Sequence, residues 1–238
     1  EIGTNKYISI KAAIDSISDP TVLTEIKLLK PLYTAKMTNI PSGYNVSLNQ
    51  KGFGIRSYNT ASAFTNDGTF EVKDDTNDLT YTNDVRGALI INNGLANYSD
   101  MATNQPTETN NTFVNNEGAT LNINSGLLTS YKKIINNDGV LNINGGEFRL
   151  TITSGGSGII MINNSSSGTI MANNAKMSQN YGTTFENAGY IEATNLIVDS
   201  SSCVNNKNSD SYIKIDGGLY GKTKRTGILL TNAGDAGY

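Results

Sequence analysis

The sequence predicts an all-β fold, a single-stranded right-handed parallel β-helix with about 20–27 residues in each coil. Two observations support this. A pattern of apolar residue, any residue, then asparagine recurs along the 238-residue chain at irregular but similar intervals, mostly with glycine soon after. No stretch after residue 20 sustains the apolar spacing of an amphipathic helix. The recurring asparagines are Asn66, Asn93, Asn116, Asn137, Asn164, Asn187, Asn206 and Asn232.

These asparagines are predicted to form an internal ladder. Each lies two residues after a large apolar residue, as Asn66 follows Phe64, so both side chains point inward in a strand. Neighbouring coils would place the amides about 4.8 Å apart, where they can hydrogen-bond one another. Ligand binding is the alternative role, but a buried amide must be satisfied, which favours the ladder.

A second short strand follows each asparagine. Phe70 and Val72, like Leu121 and Ile123, alternate with polar residues and are predicted to face inward. The glycine between the strands is expected to take a positive φ that allows a sharp turn.

The N-terminal 30 residues are predicted to cap the solenoid. Residues 9–18 have an apolar face and begin with Ser9, a good helix cap, and a strand is expected at 24–29. Residues 31–238 should supply the coils of the same single domain. Because residues 227–234 begin another coil without a cap, we expect further coils or domains beyond residue 238, or else a second copy of the chain that covers the open end.

Two surface features are also predicted. Residues 73–88 and 94–111 depart from the repeat and are expected to form projecting loops. The position before each inward apolar residue is itself mostly apolar and is expected to face outward as a stripe, either covered by the chain or used as an interface. This stripe would contain Ala63, Ile90, Phe113, Ile134, Met161, Cys203 and Leu229.

The amino-acid composition argues against several kinds of catalytic site, metal site and partner. The chain has no histidine and one cysteine, Cys203, which argues against a histidine triad or a cysteine-based zinc site. A net charge of −3 disfavours nucleic acid as a partner. No run of about 18 apolar residues is present, so no direct membrane insertion is expected.

Few residues qualify as ligand-binding candidates. Asp74, Asp75 and Asp78 could hold a hard cation through oxygen, so calcium is the one cofactor left open. Tyrosines in or near loops could stack on sugars. These are Tyr81, Tyr98, Tyr131 and Tyr181.

Three segments, 7–14 (YISIKAAI), 26–29 (IKLL) and 40–53 (IPSGYNVSLNQKGF), resemble the opening of pectate-lyase-like β-helix domains in surface proteins of Gram-positive and gut bacteria. The resemblance implies an extracellular or wall-attached protein. It implies a non-enzymatic adhesin or rigid spacer that binds a host or environmental glycan or a protein receptor through loops on the β-helix. The alternative is a calcium-dependent polysaccharide lyase or another carbohydrate-active enzyme.

Overall fold

The predicted fold class is confirmed. The computed structural model describes residues 1–34, 36–57, 60–76, 82–106 and 110–221 and the backbone of 228–232. This part of the chain forms one helix and 27 strands, which stack into three parallel sheets of nine strands each. The result is a right-handed parallel β-solenoid of about eight turns.

Each coil contributes one strand to each sheet, so pairing runs from every strand to the third strand before and after it. The first sheet contains β1 (Thr24–Lys27), β4 (Asn45–Asn49), β7 (Thr69–Lys73), β10 (Leu95–Ser99), β13 (Thr120–Ile123), β16 (Val140–Ile143), β19 (Thr169–Asn173), β22 (Tyr190–Thr194) and β25 (Tyr212–Asp216). The second contains β2 (Leu32–Thr34), β5 (Ile55–Ser57), β8 (Thr82–Val85), β11 (Ala102–Gln105), β14 (Leu127–Ser130), β17 (Glu147–Leu150), β20 (Lys176–Ser178), β23 (Ile197–Asp199) and β26 (Leu219–Gly221). The third contains β3 (Thr38–Ile40), β6 (Phe64–Asn66), β9 (Ile90–Asn92), β12 (Phe113–Asn115), β15 (Ile135–Asn137), β18 (Ile160–Asn164), β21 (Thr183–Asn187), β24 (Ser202–Asn206) and β27 (Ile228–Asn232).

The core is made of columns of apolar side chains, one from each coil. In the first sheet the predicted inward residues Phe70, Val72, Leu121 and Ile123 are all fully buried. Because strands pair in register, every inward residue lies on the inward residue of the coil before it. This stacking buries a continuous apolar core along the rod.

An asparagine ladder runs along the inside of the turn between the third and first sheets, as predicted. Each side-chain amide donates to the amide oxygen one coil further along and also to backbone carbonyls, such as Asn115 to Val140 at 2.9 Å. The buried amides are therefore satisfied. The Nδ2 to Oδ1 pairs are Asn66–Asn92 (2.8 Å), Asn92–Asn115 (2.8 Å), Asn115–Asn137 (2.7 Å), Asn137–Asn164 (2.8 Å), Asn164–Asn187 (2.8 Å) and Asn187–Asn206 (3.0 Å).

Two predicted members of the ladder are wrong. Asn92 and Asn115, not Asn93 and Asn116, hold the buried positions. Asn93 is exposed, and Asn116 is half-buried and donates to the side-chain oxygen of Asn93 outside the core. In both coils two asparagines follow two apolar residues, so the pattern fits either of two registers. Asn232 pairs with Asn206 in backbone register, and its side chain lies outside the described part.

The glycine of the turn has a different role from the one predicted. Gly68, Gly94, Gly139 and Gly189 do not adopt a positive φ. A Cβ on Gly94 would instead lie 2.2 Å from the carbonyl oxygen of Gly68 in the preceding coil. Close stacking of turns therefore excludes any side chain there. Gly118, with φ of 79°, does take the left-handed conformation.

The predicted outward apolar stripe is wrong. Ala63, Ile134, Met161 and Cys203 are buried, and each is followed by another buried residue such as Phe64 after Ala63. Two consecutive inward residues are needed where the chain turns the corner between the second and third sheets. Ile90 and Phe113 are also buried, and Leu229 lies outside the residues whose side chains are described.

Helix α1 covers the first coil over a shorter span than predicted. It runs from Ile10 to Asp15, and the hydroxyl of Ser9 accepts a hydrogen bond from the Ala12 amide at 3.0 Å as an N-cap. Ile10 and Ile14 are buried against the core. No helix in the described part is both long and apolar enough to cross a bilayer.

The two predicted loops are largely coils of the solenoid. Strand β8 lies within 73–88, and strands β10 and β11 lie within 94–111. Their inward residues include polar side chains such as Asn83, Thr103 and Gln105. Because these inward residues are polar, the sequence of the strands lacks the alternation of apolar and polar residues by which strands are predicted. Residues 77–81 and 107–109 lie outside the described ranges.

Candidate binding face

The acidic candidates do not form one site. Asp74 is buried and accepts from the Gly52 amide at 2.9 Å and from the Thr76 hydroxyl at 2.6 Å, so its carboxylate holds a turn together. Asp75 points outward and pairs with Lys51 at 2.9 Å. Asp78 falls outside the described residues. Within the described ranges no three acidic or cysteine side chains gather as a metal-binding group.

The tyrosine candidates are also scattered. Tyr98 is wrong as a surface residue, since it is completely buried, packs edge-on against Phe113 and donates its hydroxyl to the Met101 carbonyl at 3.2 Å. Burial raises the pKa of its hydroxyl far above the ordinary value. Tyr131 and Tyr181 are half-buried against the core, and Tyr81 lies outside the described ranges.

The outward side of the first sheet carries charged side chains, a column of amides and a stacked pair of tyrosines. We call it the outer face, made of the residues that alternate with the inward columns of β1, β4, β7, β10, β13, β16, β19, β22 and β25. Because parallel strands stack in register, each outward residue lies beside its equivalent in the next coil. The outward residues of successive strands therefore form columns of side chains along the rod.

Charged groups occupy the first coils of the outer face. Lys73 lies 3.2 Å from Glu71 and 3.6 Å from Glu25, and Lys27 lies 3.2 Å from Glu25. The Asn49 amide donates to Glu25 at 3.2 Å and to Asp75 at 3.0 Å. β1 and β7 each carry an acid and a lysine two residues apart, and β4 between them carries Ser47 and Asn49, so lysines lie beside both Glu25 and Glu71.

The protonation of this network follows from its contacts. Burial alone would lower the pKa of Lys73, but hydrogen bonding to Glu71 and the charges of Glu71 and Glu25 raise it overall. Burial would raise the pKa of Glu25, yet hydrogen bonds from Asn49 and Lys27 and the nearby lysine charges lower it. Both groups are therefore held in their charged forms.

Amide columns occupy the middle coils. Asn142 donates to Asn122, and Asn122 donates to Asn97, both at 2.8 Å. Beside this column the Asn144 amide donates to Asn124 at 2.9 Å. Each amide retains a second N–H and an oxygen lone pair, so the face presents donors and acceptors in fixed positions.

Aromatic and charged groups occupy the last described coils. The rings of Tyr190 and Tyr212 stack with centroids 5.0 Å apart, and the side chains are 36% and 49% exposed. Beside them Glu192 accepts from Lys214 and from the Tyr190 hydroxyl, and these bonds lower the pKa of the Glu192 carboxyl. The stack offers an apolar surface next to polar groups.

The sequence carried signals for these residues that the site predictions did not use. Alternation with inward residues such as Leu121 and Ile123 places Asn122 and Asn142 outward, and their equal position in adjacent coils implies a column. Tyr190 and Tyr212 each precede an inward isoleucine, which places both outward. The position of a tyrosine relative to the inward residues of its strand predicts whether it is exposed, and its distance from a loop does not.

No protein-family model, curated protein or solved structure matches this chain.

Proposed function

We propose that this chain is a non-enzymatic adhesin segment of a bacterial cell-surface protein, a rigid rod that binds a glycan or protein receptor through its outer surface. One observation carries the proposal, which is the fixed array of hydrogen-bonding side chains on the outer face. Asn97, Asn122 and Asn142 hold one another in register over the apolar core. A surface ordered before binding loses little side-chain entropy when a ligand docks.

The protonation of the outer face supports binding over catalysis. A lyase of this fold needs a lysine or arginine that can act as a base, and such a group works best with a lowered pKa. The contacts of Lys73 and Lys51 raise their pKa instead. The adjacent carboxylates are tied to these lysines, which leaves them poorly placed to hold calcium.

Composition supports an extracellular location. Low charge with abundant asparagine, serine, threonine and glycine is typical of bacterial surface solenoids. The single cysteine is buried, and the opening segments resemble β-helix domains of such proteins. A rod with regular coils would also hold its ligand at a fixed distance from whatever anchors it.

The test is a glycan and protein-receptor array, run with and without calcium, followed by a cleavage assay on every glycan that binds. Asn122→Ala removes the middle of the amide column on the outer face. Thr129→Ala is the matched control, because Thr129 is a half-buried outward residue of the second sheet. Circular dichroism melting confirms that both variants remain folded.

We expect binding without cleavage, and weaker binding for Asn122→Ala than for Thr129→Ala. Calcium-dependent cleavage would overturn the proposal in favour of a polysaccharide lyase. Equal binding by both variants would place the contact elsewhere on the rod and refute the role of the outer face. If no ligand binds, the adhesin is refuted and a rigid spacer is the better account.

A further inference from the structure

A small cavity opens on the outward side of the third sheet, away from the outer face. It has a volume of about 190 Å³ and is lined by Asn111, Lys133, Asn136, Ile160 and Asn163. All five side chains are half-buried, so the cavity is a shallow depression with ordered walls. A pocket for a drug-sized molecule holds about 300 Å³ or more, so this one suits a single sugar-sized group.

Strand register explains why these side chains meet. Asn136 and Asn163 are partners in adjacent coils, and the Asn163 amide donates to the Asn136 oxygen at 2.8 Å. Lys133 and Ile160 each lie two residues before the paired residues Ile135 and Ile162, so they form the neighbouring column. The cavity is the space between these two columns.

Lys133 is the unusual member of this group. Its ammonium has no hydrogen bond or ion pair with any described residue, whereas Lys51 pairs with Asp75 and Lys207 pairs with Glu186 at 2.7 Å. A half-buried cation without a counter-ion attracts an anion more strongly than a fully solvated one, because the local dielectric constant is lower.

The nearby charges do not neutralise Lys133. Glu186, the next residue of the Asn136–Asn163 column, is bound by Lys207. Asp138 accepts from the Asn136 amide at 3.0 Å. Lys132 does not line the cavity, and its ammonium lies 6.0 Å from the centre of the Tyr131 ring.

The amides complete a set of groups suited to a sugar. The Asn163 oxygen and both polar atoms of Asn111 have no partner among the described residues. Amides donate and accept together, as sugar hydroxyls do, and Ile160 supplies an apolar wall for the C–H face of a ring. A bare acidic side chain of a peptide would use the lysine but leave these amides unmatched.

We propose that this cavity is a subsite for an acidic sugar, whose carboxylate or sulfate pairs with Lys133 while its hydroxyls bond to Asn111 and Asn163. This inference rests on the proposed adhesin function and names a class of glycan for it. It also places a second contact surface on the rod, separate from the outer face.

The test compares two lysine variants. Lys133→Gln removes the charge in the cavity, and Lys132→Gln removes the same charge from the adjacent residue, which packs over Tyr131. Binding is measured by calorimetry with a glucuronate-bearing trisaccharide, its carboxyl methyl ester, a sulfated trisaccharide and its neutral parent. A glutamate-rich peptide is the fifth probe.

We expect the wild-type chain to bind the glucuronate or the sulfated probe, and its uncharged counterpart about tenfold or more weakly. Lys133→Gln should abolish that preference, and Lys132→Gln should retain it. The two charged probes distinguish a carboxylate from a sulfate.

Three outcomes overturn the inference. Equal binding of charged and uncharged sugars, or an unchanged preference in Lys133→Gln, shows that Lys133 does not select an anionic sugar. Lysine-dependent binding of the peptide but of no acidic sugar assigns the cavity to a protein partner. No binding of any probe also refutes the subsite, while the array with Asn122→Ala separately decides whether the adhesin function stands.

Discussion

The side-chain amide of Asn115 donates to the Oδ1 of Asn137 in the next coil at 2.7 Å, and both residues are completely buried. The neighbouring Asn116 bonds instead to Asn93 at the surface. Two adjacent asparagines of one coil therefore belong to two different ladders, one inside and one outside. Only the inner ladder is needed for a stable core, because a buried amide without hydrogen-bond partners costs free energy.

Asn115→Ala should lower the free energy of unfolding by about 2–3 kcal/mol, because it leaves the buried Oδ1 of Asn137 without its donor and removes the hydrogen bonds to Asn92 and to the Val140 carbonyl. Asn116→Ala is the matched control and should change it by about 0.5 kcal/mol or less. Urea unfolding followed by circular dichroism measures both. A larger loss for Asn116→Ala than for Asn115→Ala would contradict the observed register.

The ladder shows how far the sequence predicts this fold. The coil length, the inward pairs such as Leu121 with Ile123, and the existence of an asparagine ladder all follow from periodicity. The choice between Asn92 and Asn93 does not, because Ile90 and Ile91 both satisfy the apolar position before it. Strand pairing with neighbouring coils decides between them, and one sequence does not contain that information.

The surface was harder to predict than the core, for two physical reasons. At the corner before the third sheet two successive residues, such as Met161 and Ile162, both face inward, so strict alternation wrongly places one outside. In the second sheet, inward residues such as Thr103 are polar, so their coil resembles a loop. The column formed by Asn97 and Asn122 depends on contacts between coils rather than within one.

Gly94→Ala should destabilise the rod by about 1–3 kcal/mol, because the new Cβ would collide with the Gly68 carbonyl of the preceding coil. Gly156→Ala provides the control, since a Cβ there meets nothing within 4 Å and φ is not positive. Its effect should be neutral or stabilising by up to about 1 kcal/mol. Thermal melting distinguishes the two, and equal melting temperatures would show that the turns are not tightly stacked.

Asp75 should make stability fall at acid pH. Hydrogen bonds from Asn49 and Lys51, and the charge of Lys51, lower the pKa of its carboxyl below the ordinary 3.8. A lowered pKa stabilises the folded state above the unfolded value, and this contribution is lost as the pH falls through the folded value. Wild type should therefore be more stable than Asp75→Asn near neutrality, and the difference should shrink as the pH falls below the ordinary value of 3.8.

The control for this titration is Asp210→Asn, which alters an exposed carboxylate in a turn. Both variants are compared with wild type between pH 7 and pH 2.5, and the change that is specific to the Asp75–Lys51 pair is the difference between them. Melting temperatures across that range give both differences. A gap between wild type and Asp75→Asn that keeps the same size from pH 7 to pH 2.5 would exclude the ion pair as its cause.

Tyr98→Ala should be the most damaging tyrosine substitution, lowering the free energy of unfolding by about 3–5 kcal/mol. Tyr98 fills the core beside Ala96, packs on Phe113 and donates to the Met101 carbonyl, so its loss opens a cavity and removes a buried hydrogen bond. Tyr131→Ala removes a half-buried ring and should cost less than half as much. Urea unfolding midpoints measure the contrast. If Tyr98→Ala left stability unchanged but weakened binding of a glycan, Tyr98 would belong to the surface, and the assignment of β10 to the first sheet would be wrong.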